Sequence, residues 1–555
     1  MTINTPHTPF DLVNEPWIRV LDLDGIDREV SLADVFRRAG QLRDIVGEVP
    51  TQSFAILRLL LAILRRAAQE PIAPEDGLTT DGRPRDLEDW RAIRENWTRV
   101  VANVEDYLDE WHDRFDLRHP ETPFFQAGGL EYEKGGMDRL GMIIADVPNG
   151  EPFLTMRTGT GVTSMSWSEA ARWLVHTQAY DTSGVRAAAK GDPRAKQGKV
   201  FPIGTGWTGQ LGGLYLKGKT LQETLTLNLV EPETINLDVD WEADLPAWER
   251  PAQTSAPEGG IDGREPIGPV DLYTWQARRI RLIGDDAVRG VVLCNGDKIP
   301  PQNRFTIEFQ TAWRFSDPQT KKFKYDVHMP RELDPSRSLW RGLQSLLSSS
   351  EPRSDIPPKV LAFAGELMSR RVVPDTHVSV RAVGIKYGSN NSTIAEIIDD
   401  HLELPAELVA HDNGVLADLA LRAVAQAEDA ARELARYAEN LYRCAGGDVE
   451  STGPRDRARE LAFAALEPHF RKWLLGLTDS RQITELETRW QMRVHRVVRE
   501  ISDDLAGEAG PAALVGRQVR GRHVDLGLAT AWFRKRLADQ LPMAMAQMRT
   551  KEGAR

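Results

Sequence analysis

The chain has 555 residues, too many for one hydrophobic core, and its 41% apolar and 27% charged residues describe a folded globular protein of two or three domains. Two cysteines, Cys294 and Cys444, exclude a disulfide framework beyond one bridge and any zinc site built on cysteine pairs. A net charge of −12 argues against a protein that coats nucleic acid indiscriminately.

From the amino end, MTINTPHTPFDLVNEPW carries no basic start followed by an apolar run, and FAILRLLLAILRRAA is interrupted by Arg58 and Arg65. A cytoplasmic protein that neither enters nor spans a membrane is expected. LVNEPWIRVLDLDG predicts a strand, a turn at Asp24-Gly25 and a return strand. Ser31 precedes a helical pattern that stops at Gly40. Helices are predicted over 51–69, with Phe54, Leu57, Leu61 and Leu64 on one face, and over 86–115. TLQETLTLNLV reads as a β-rich run, Pro251 to Pro269 as a loop, and RRIRLIG, VVLCNG and RFTIEFQTAWRF as antiparallel strands. After about Asp399 the chain becomes helical, in four segments: Val415 to Cys444, Pro454 to Leu477, Arg481 to Leu505 and His523 to Arg549. The expected fold is α+β, a mixed domain over 1–398 followed by an antiparallel four-helix bundle over 399–555.

Motifs of catalysis are missing. HExxH, the GxxxxGK[ST] phosphate loop and the GxSxG elbow are all absent. Gly204-Thr205-Gly206-Trp207-Thr208-Gly209 matches GxGxxG, but QLGGLYLKGK after it is no helix, so a glycine turn packed under Trp207 is the better reading. Asp399, Asp400, His401 and His411 lack further ligands at metal-binding spacing and read as a polar junction.

Two cationic islands stand out. From Thr182 to Lys219 there are seven basic residues (Arg186, Lys190, Arg194, Lys196, Lys199, Lys217, Lys219), nine glycines and one acid, Asp192. From Ala513 to Arg536, six basic residues face only Asp525. Solvated loops and confined contacts to a polyanion explain such runs equally. Glycines near lysines let backbone N–H groups approach phosphates. In GIKYGSNNSTIAE, Asn390, Asn391 and Ser392 sit on a turn before a predicted helix at Thr393, as caps or as side chains able to touch base edges.

DLVNEPWIRV, WHDRFDLRHPETPFFQ, QAYDTSG, GTGWTGQLGG, RFTIEFQTAW and YGSNNSTI, in this order and ahead of a helical carboxy-terminal region, resemble CasA, the large subunit of the type I-E CRISPR surveillance complex Cascade. The resemblance implies a non-catalytic subunit; the cysteine cluster that some members carry before the finger is absent here, so no metal or cofactor is expected. It would recognise the protospacer-adjacent motif in double-stranded target DNA from the minor groove, start R-loop formation and help recruit a helicase-nuclease effector. Its partners would include the crRNA 5′ handle and the backbone, handle-binding and small subunits. By resemblance, a glycine loop maps to Gly184, Arg186 and Ala187, a basic finger to Arg304, and a wedge to Asn390, Asn391 and Ser392. Arg186 and Ala187 stand where the family has glycines, Arg304 where it has lysine and Asn391 where it has glutamine. Lys190, Arg194, Lys196 and Lys199 are candidates for the DNA backbone, and Arg489, Arg493 and Arg496 for the displaced strand. The stretch 146–161 resembles the loop that docks onto the crRNA handle. The competing readings are an adaptor whose basic islands meet protein partners, and a hydrolase acting through Asp399, Asp400 and His401.

Overall fold

The computed structural model describes residues 8–68, 87–147, 157, 163–231, 233–237, 239–261, 263–347, 353–373, 377–410, 414–448, 450–519 and 521–553. The chain falls into two compact units. One comprises Met1–Ser338, Ser348–Val373 and Ser379–His401, the other Leu339–Leu347, Pro374–Val378 and Leu402–Arg555. The second unit thus takes in a segment far upstream of the expected boundary at 398.

In the first unit β1 (Ile18–Asp22) lies between β2 (Asp27–Val30) and β3 (Leu42–Ile45), antiparallel to both. Ser31 starts α1 (Leu32–Arg37) by accepting the Asp34 amide at 3.2 Å. Helix α2 (Pro50–Ala67) is buried on nearly every side, so its two buried arginines, Arg58 and Arg65, need counterions. Arg58 forks onto Glu308 at 2.8 and 3.0 Å, and Arg65 pairs with Glu231.

The single helix expected over 86–115 is two, α3 (Leu87–Glu95) and α4 (Trp97–Glu110), with a 3-10 turn at His112–Phe115. Asn96 breaks the ladder: its backbone leaves the helical region and its amide donates back to the Ala92 carbonyl at 3.1 Å. After α5 (Trp167–Tyr180) the short strands β4 (Arg186–Ala187) and β5 (Lys199–Val200) pair, and β6 (Gly213–Lys217) follows. TLQETLTLNLV is then no strand but α6 (Leu221–Asn228). Thr220 caps it by accepting the Glu223 amide, and Leu221, Leu225 and Leu229, four apart, share burial; that spacing overrides the Thr-Leu alternation.

The antiparallel hairpin of β7 (Arg278–Gly284) and β8 (Val288–Asn295) matches the expectation. RFTIEFQTAWRF does not form one strand: Ile307 and Glu308 both donate to the Arg304 carbonyl in a turn, and only β9 (Trp313–Phe315) is extended, pairing with β10 (His328–Pro330). Residues 308 to 313 are all buried, so nothing there alternates between core and solvent. β11 (His377–Tyr387) lies between β6 and β12 (Ile394–Pro405).

The second unit is largely helical. It contains α7 (Gly414–Cys444), α8 (Gly453–Leu474), α9 (Ile483–Glu508), the short α10 (Gly510–Val515), α11 (Leu526–Gln540) and α12 (Pro542–Gly553). Trp490 is buried and donates to the Ala423 carbonyl at 2.9 Å, and Trp340 packs on Phe470 with ring centroids 4.6 Å apart. The fourth predicted helix, His523 to Arg549, is corrected. His523 lies in a hairpin of Arg517–Val519 with Arg522–Val524, and the helix after it breaks at Leu541, because Pro542 has no N–H and disfavours helical backbone before it. No described helix is long and apolar enough to cross a membrane.

Candidate nucleic-acid interface

The carboxyl end of α5 organises three of the sequence-predicted segments. Asp181 accepts from Arg186 at 2.7 and 2.9 Å and from Arg278 of β7, and its own carbonyl accepts the Gly206 amide at 2.9 Å. Arg278 is fully buried and also donates to the carbonyls of Thr182 and Gly204, each at 2.9 Å. One carboxylate therefore holds two guanidinium groups, and burial pulls the pKa of Arg278 below its ordinary value despite that partner. At Gly206 a Cβ would meet the Ala179 carbonyl carbon and oxygen at 2.4 Å, so this glycine is required by close approach.

The segment leaving Asp181 reaches the β11–β12 turn. The Ser183 amide donates to the Asn391 carbonyl at 2.8 Å, and the Tyr387 hydroxyl donates to the Tyr180 carbonyl at 2.6 Å. The expected helix at Thr393 does not exist: Asn390, Asn391 and Ser392 form the exposed tip of a hairpin whose return strand begins at Ile394. Asn390 and Asn391 have φ of 54° and 55°, a left-handed conformation that Asn tolerates better than most residues. Their side-chain amides bond to no described residue, whereas the Ser392 hydroxyl is spent on the Ser389 carbonyl at 2.8 Å. Gly184, two residues after Thr182, has nothing within 4 Å of where a Cβ would be.

The third segment joins through Trp207, which is buried as predicted and donates its indole N–H to Glu308 at 2.7 Å. Glu308 lies on the turn opened by Arg304. Arg304 itself is half-buried, donating to the Pro300 carbonyl at 3.1 Å and pairing with Glu265. The loop, hairpin and finger candidates thus share one connected scaffold.

Two candidates change role. Arg186 turns inward, 9% exposed, and donates to Asp181, because β4 alternation aims it at the core and leaves Ala187 outside. Arg194 places its guanidinium on Asp192 and on the carbonyls of Asn295 and Gly296, so it is a structural clamp. Lys190, Lys196 and Lys199 are exposed without an ion pair to any described residue. In the second unit, Arg489 pairs with Glu485 at 2.9 Å. Arg493 and Arg496 are exposed with no ion pair to any described residue, lining a groove with Arg481, Thr488, Met492 and Gln547. Arg517 of the second cationic island donates to the Arg443 and Gly447 carbonyls at 2.6 Å each, so it too is structural.

Asp399 pairs with Arg381 at 2.7 Å, and no group of three metal-ligating side chains exists among the described residues. His411 lies outside them, as does the stretch 146–161 apart from Asp146, Val147 and Arg157. Sequence reasoning missed Asp181 and Arg278. Asp181 stood within the quoted QAYDTSG, but Arg278, in the run RRIRLIG, carries no local sign of which partner it meets.

The family model for CRISPR-associated protein Cse1 matches residues 11–501. A CRISPR-associated protein CasA/Cse1 of Thermus thermophilus is 32% identical over 291 residues, which span 50% of this chain and 50% of that relative. The crystal structure of Thermobifida fusca Cse1 superimposes with a TM-score of 0.86 at 41% identity, covering 98% of this chain and 100% of that one. A chain of a CRISPR RNA-guided surveillance complex shares the fold, with a TM-score of 0.61 at 19% identity over 90% of this chain and 99% of its own.

Proposed function

Because the chain belongs to the Cse1 family of CRISPR-associated proteins, we propose that it is the large subunit of a guide-RNA surveillance complex, Cascade, and recognises the protospacer-adjacent motif in target duplex DNA. The observation that carries this reading is the joining of the Gly184 segment to the Asn390–Asn391 tip through Ser183. A glycine segment that admits a backbone closely, beside two asparagine amides that bond to no described residue, suits a minor groove, where hydrogen-bonding patterns separate A·T from G·C pairs but not their orientations. The protein then licenses where guide pairing starts, and the guide reads the sequence. Inserting the hairpin tip offsets part of the few kcal/mol needed to unpair the first step.

Lys190, Lys196 and Lys199 hold phosphates in this reading, and Arg304 exchanges Glu265 for the groove. The carboxy-terminal helices act as a bundle beside the small subunits, with Arg493 and Arg496 on the displaced strand and Arg489 available once Glu485 is displaced. The crRNA handle docks through 146–161, and the opened complex admits the helicase-nuclease. The subunit binds and positions; it does no chemistry.

The test is reconstitution with guide RNA and the remaining subunits on motif-bearing and motif-free duplexes. Motif-dependent protection and strand opening, read by strand-specific chemical probing, are expected, with affinity falling steeply with salt. Equal protection of both duplexes by the complete complex would overturn the reading in favour of an adaptor.

A further inference from the structure

The ribbon of β4 and β5 has an outer face that the mapped motifs do not explain. Arg186 pairs with Val200 and Ala187 with Lys199. Strand alternation turns Arg186 and Val200 into the core and leaves Ala187 and Lys199 in solvent. One step further, Val185 and Phe201 flank that pair, with 54% and 68% of their surfaces exposed. Phe201 is the most exposed aromatic residue among those described.

This exposure occurs on a pinned backbone. Asn295, completely buried, donates to the Gly184 carbonyl at 3.3 Å and to the Phe201 carbonyl at 3.1 Å, fastening both strands at the apolar end of the ribbon. The same end leads through Gly184 to Ser183, whose amide meets the Asn391 carbonyl. On the same face, one pair along the ribbon, Lys199 is exposed, while Lys134, Lys190 and Lys196 are exposed about the turn that closes its other end, together with Glu131 and Glu133. Lysine is depleted from the cores of protein interfaces, whereas a fixed aromatic ring with a lysine on its own face and further lysines along the ribbon suits unpaired nucleic acid, a base stacking on the ring and the cations following the backbone.

We propose that Phe201, braced by Val185, is a stacking platform for a nucleobase left unpaired beside the hairpin tip, and that Lys199 on the same face takes an adjoining phosphate. The inference rests on the strand-opening reading above and adds a base-binding site to it.

The experiment uses the reconstituted complex with motif-bearing duplexes that carry 2-aminopurine singly at each position from the motif into the first target pairs, on either strand. Wild-type complex is expected to open the duplex while one 2-aminopurine stays quenched, as a stacked base does. Phe201→Ala should release that quenching and weaken motif-dependent binding roughly 5- to 150-fold with the salt slope unchanged. Phe201→Leu should keep the apolar surface but not the quenching, and Phe201→Trp should restore both. Opening, quenching and affinity unchanged in Phe201→Ala would overturn the platform while leaving motif reading intact. Loss of subunit assembly by Phe201→Ala, with the assembled fraction binding DNA normally, would also overturn it, in favour of a protein contact. A wild-type complex that never distinguishes motif from non-motif DNA would instead sink the underlying reading.

Discussion

The Ser183 amide and the Asn391 carbonyl, far apart in sequence, meet at 2.8 Å and fasten the segment before Gly184 to the tip of a β-hairpin. This contact fixes what each side chain at the tip is free to do. The Asn391 carbonyl is engaged by the protein, and its side-chain amide bonds to no described residue.

Asn391→Ala is therefore expected to lower motif-dependent strand opening by about 1–3 kcal/mol while nonspecific duplex binding holds. Alanine at a φ of 55° also strains the turn, so Asn391→Gly is the companion variant, relieving strain but equally lacking the amide. Opening lost by both variants assigns the effect to the side chain. Normal opening by Asn391→Gly would assign it to the backbone and refute the base contact.

Asp181→Asn removes the carboxylate shared by Arg186 and Arg278, leaving the fully buried Arg278 without a counterion. A loss of about 3–5 kcal/mol is expected in denaturant unfolding of the amino-terminal transition. Arg186→Gln should cost much less, because Arg278 keeps Asp181. Equal losses from the two variants would show that the pair, and not the buried arginine, sets the energy.

Replacing Lys190, Lys196 and Lys199 together by alanine should weaken binding to all duplexes alike and flatten the slope of log affinity against log salt by up to about 2.7. Arg194 is left out of this set because its guanidinium is already committed to Asp192 and two carbonyls. A collapse of motif discrimination at constant nonspecific affinity would make these lysines readers of sequence.

His176 is sealed in the core against Tyr180, with ring centroids 5.1 Å apart, and burial pushes its pKa down from 6.5 to about 3. Below pH 6.5 the unfolded chain binds a proton here that the folded chain refuses, so folding stability falls as pH drops, by about 1.4 kcal/mol per pH unit until the folded pKa is reached. Asp244, raised by burial to about 6, acts in the opposite sense as pH falls below that value, so the diagnostic quantity is the difference between wild type and His176→Gln. The variant should lose the His176 part of the slope between pH 6 and 4. Parallel stability curves would show that the imidazole is protonated in the fold.

Removing residues 415–555 should abolish full R-loop formation, read by strand-specific probing of the reconstituted complex. The truncated chain should be insoluble unless Trp340 and Leu343 are also made polar, because both belong to the second unit and Trp340 is buried there against Phe470. A soluble truncation with normal R-loops would leave Arg493 and Arg496 as a solvated surface.

Sequence alone determined what depends on near neighbours: the Ser31 cap, the helix expected over 51–69 and found from Pro50, the 278–295 hairpin, the glycine turn under Trp207, and the ordered motifs that carry the family resemblance. Each is written in spacings of a few residues, which is the range of capping and of strand or helix periodicity. Tertiary structure decided the rest. TLTL alternates like a strand until a cap and leucines four apart meet the core, and Asn390 to Ser392 resemble a helix start until β11 and β12 close over them. An arginine in a strand or loop reads as solvated surface in any local window. Whether Arg58, Arg186, Arg194 or Arg278 is free for DNA or committed to a buried carboxylate depends on where Glu308, Asp181 and Asp192 come to lie, and on a desolvation penalty that exists only once the core has closed around them.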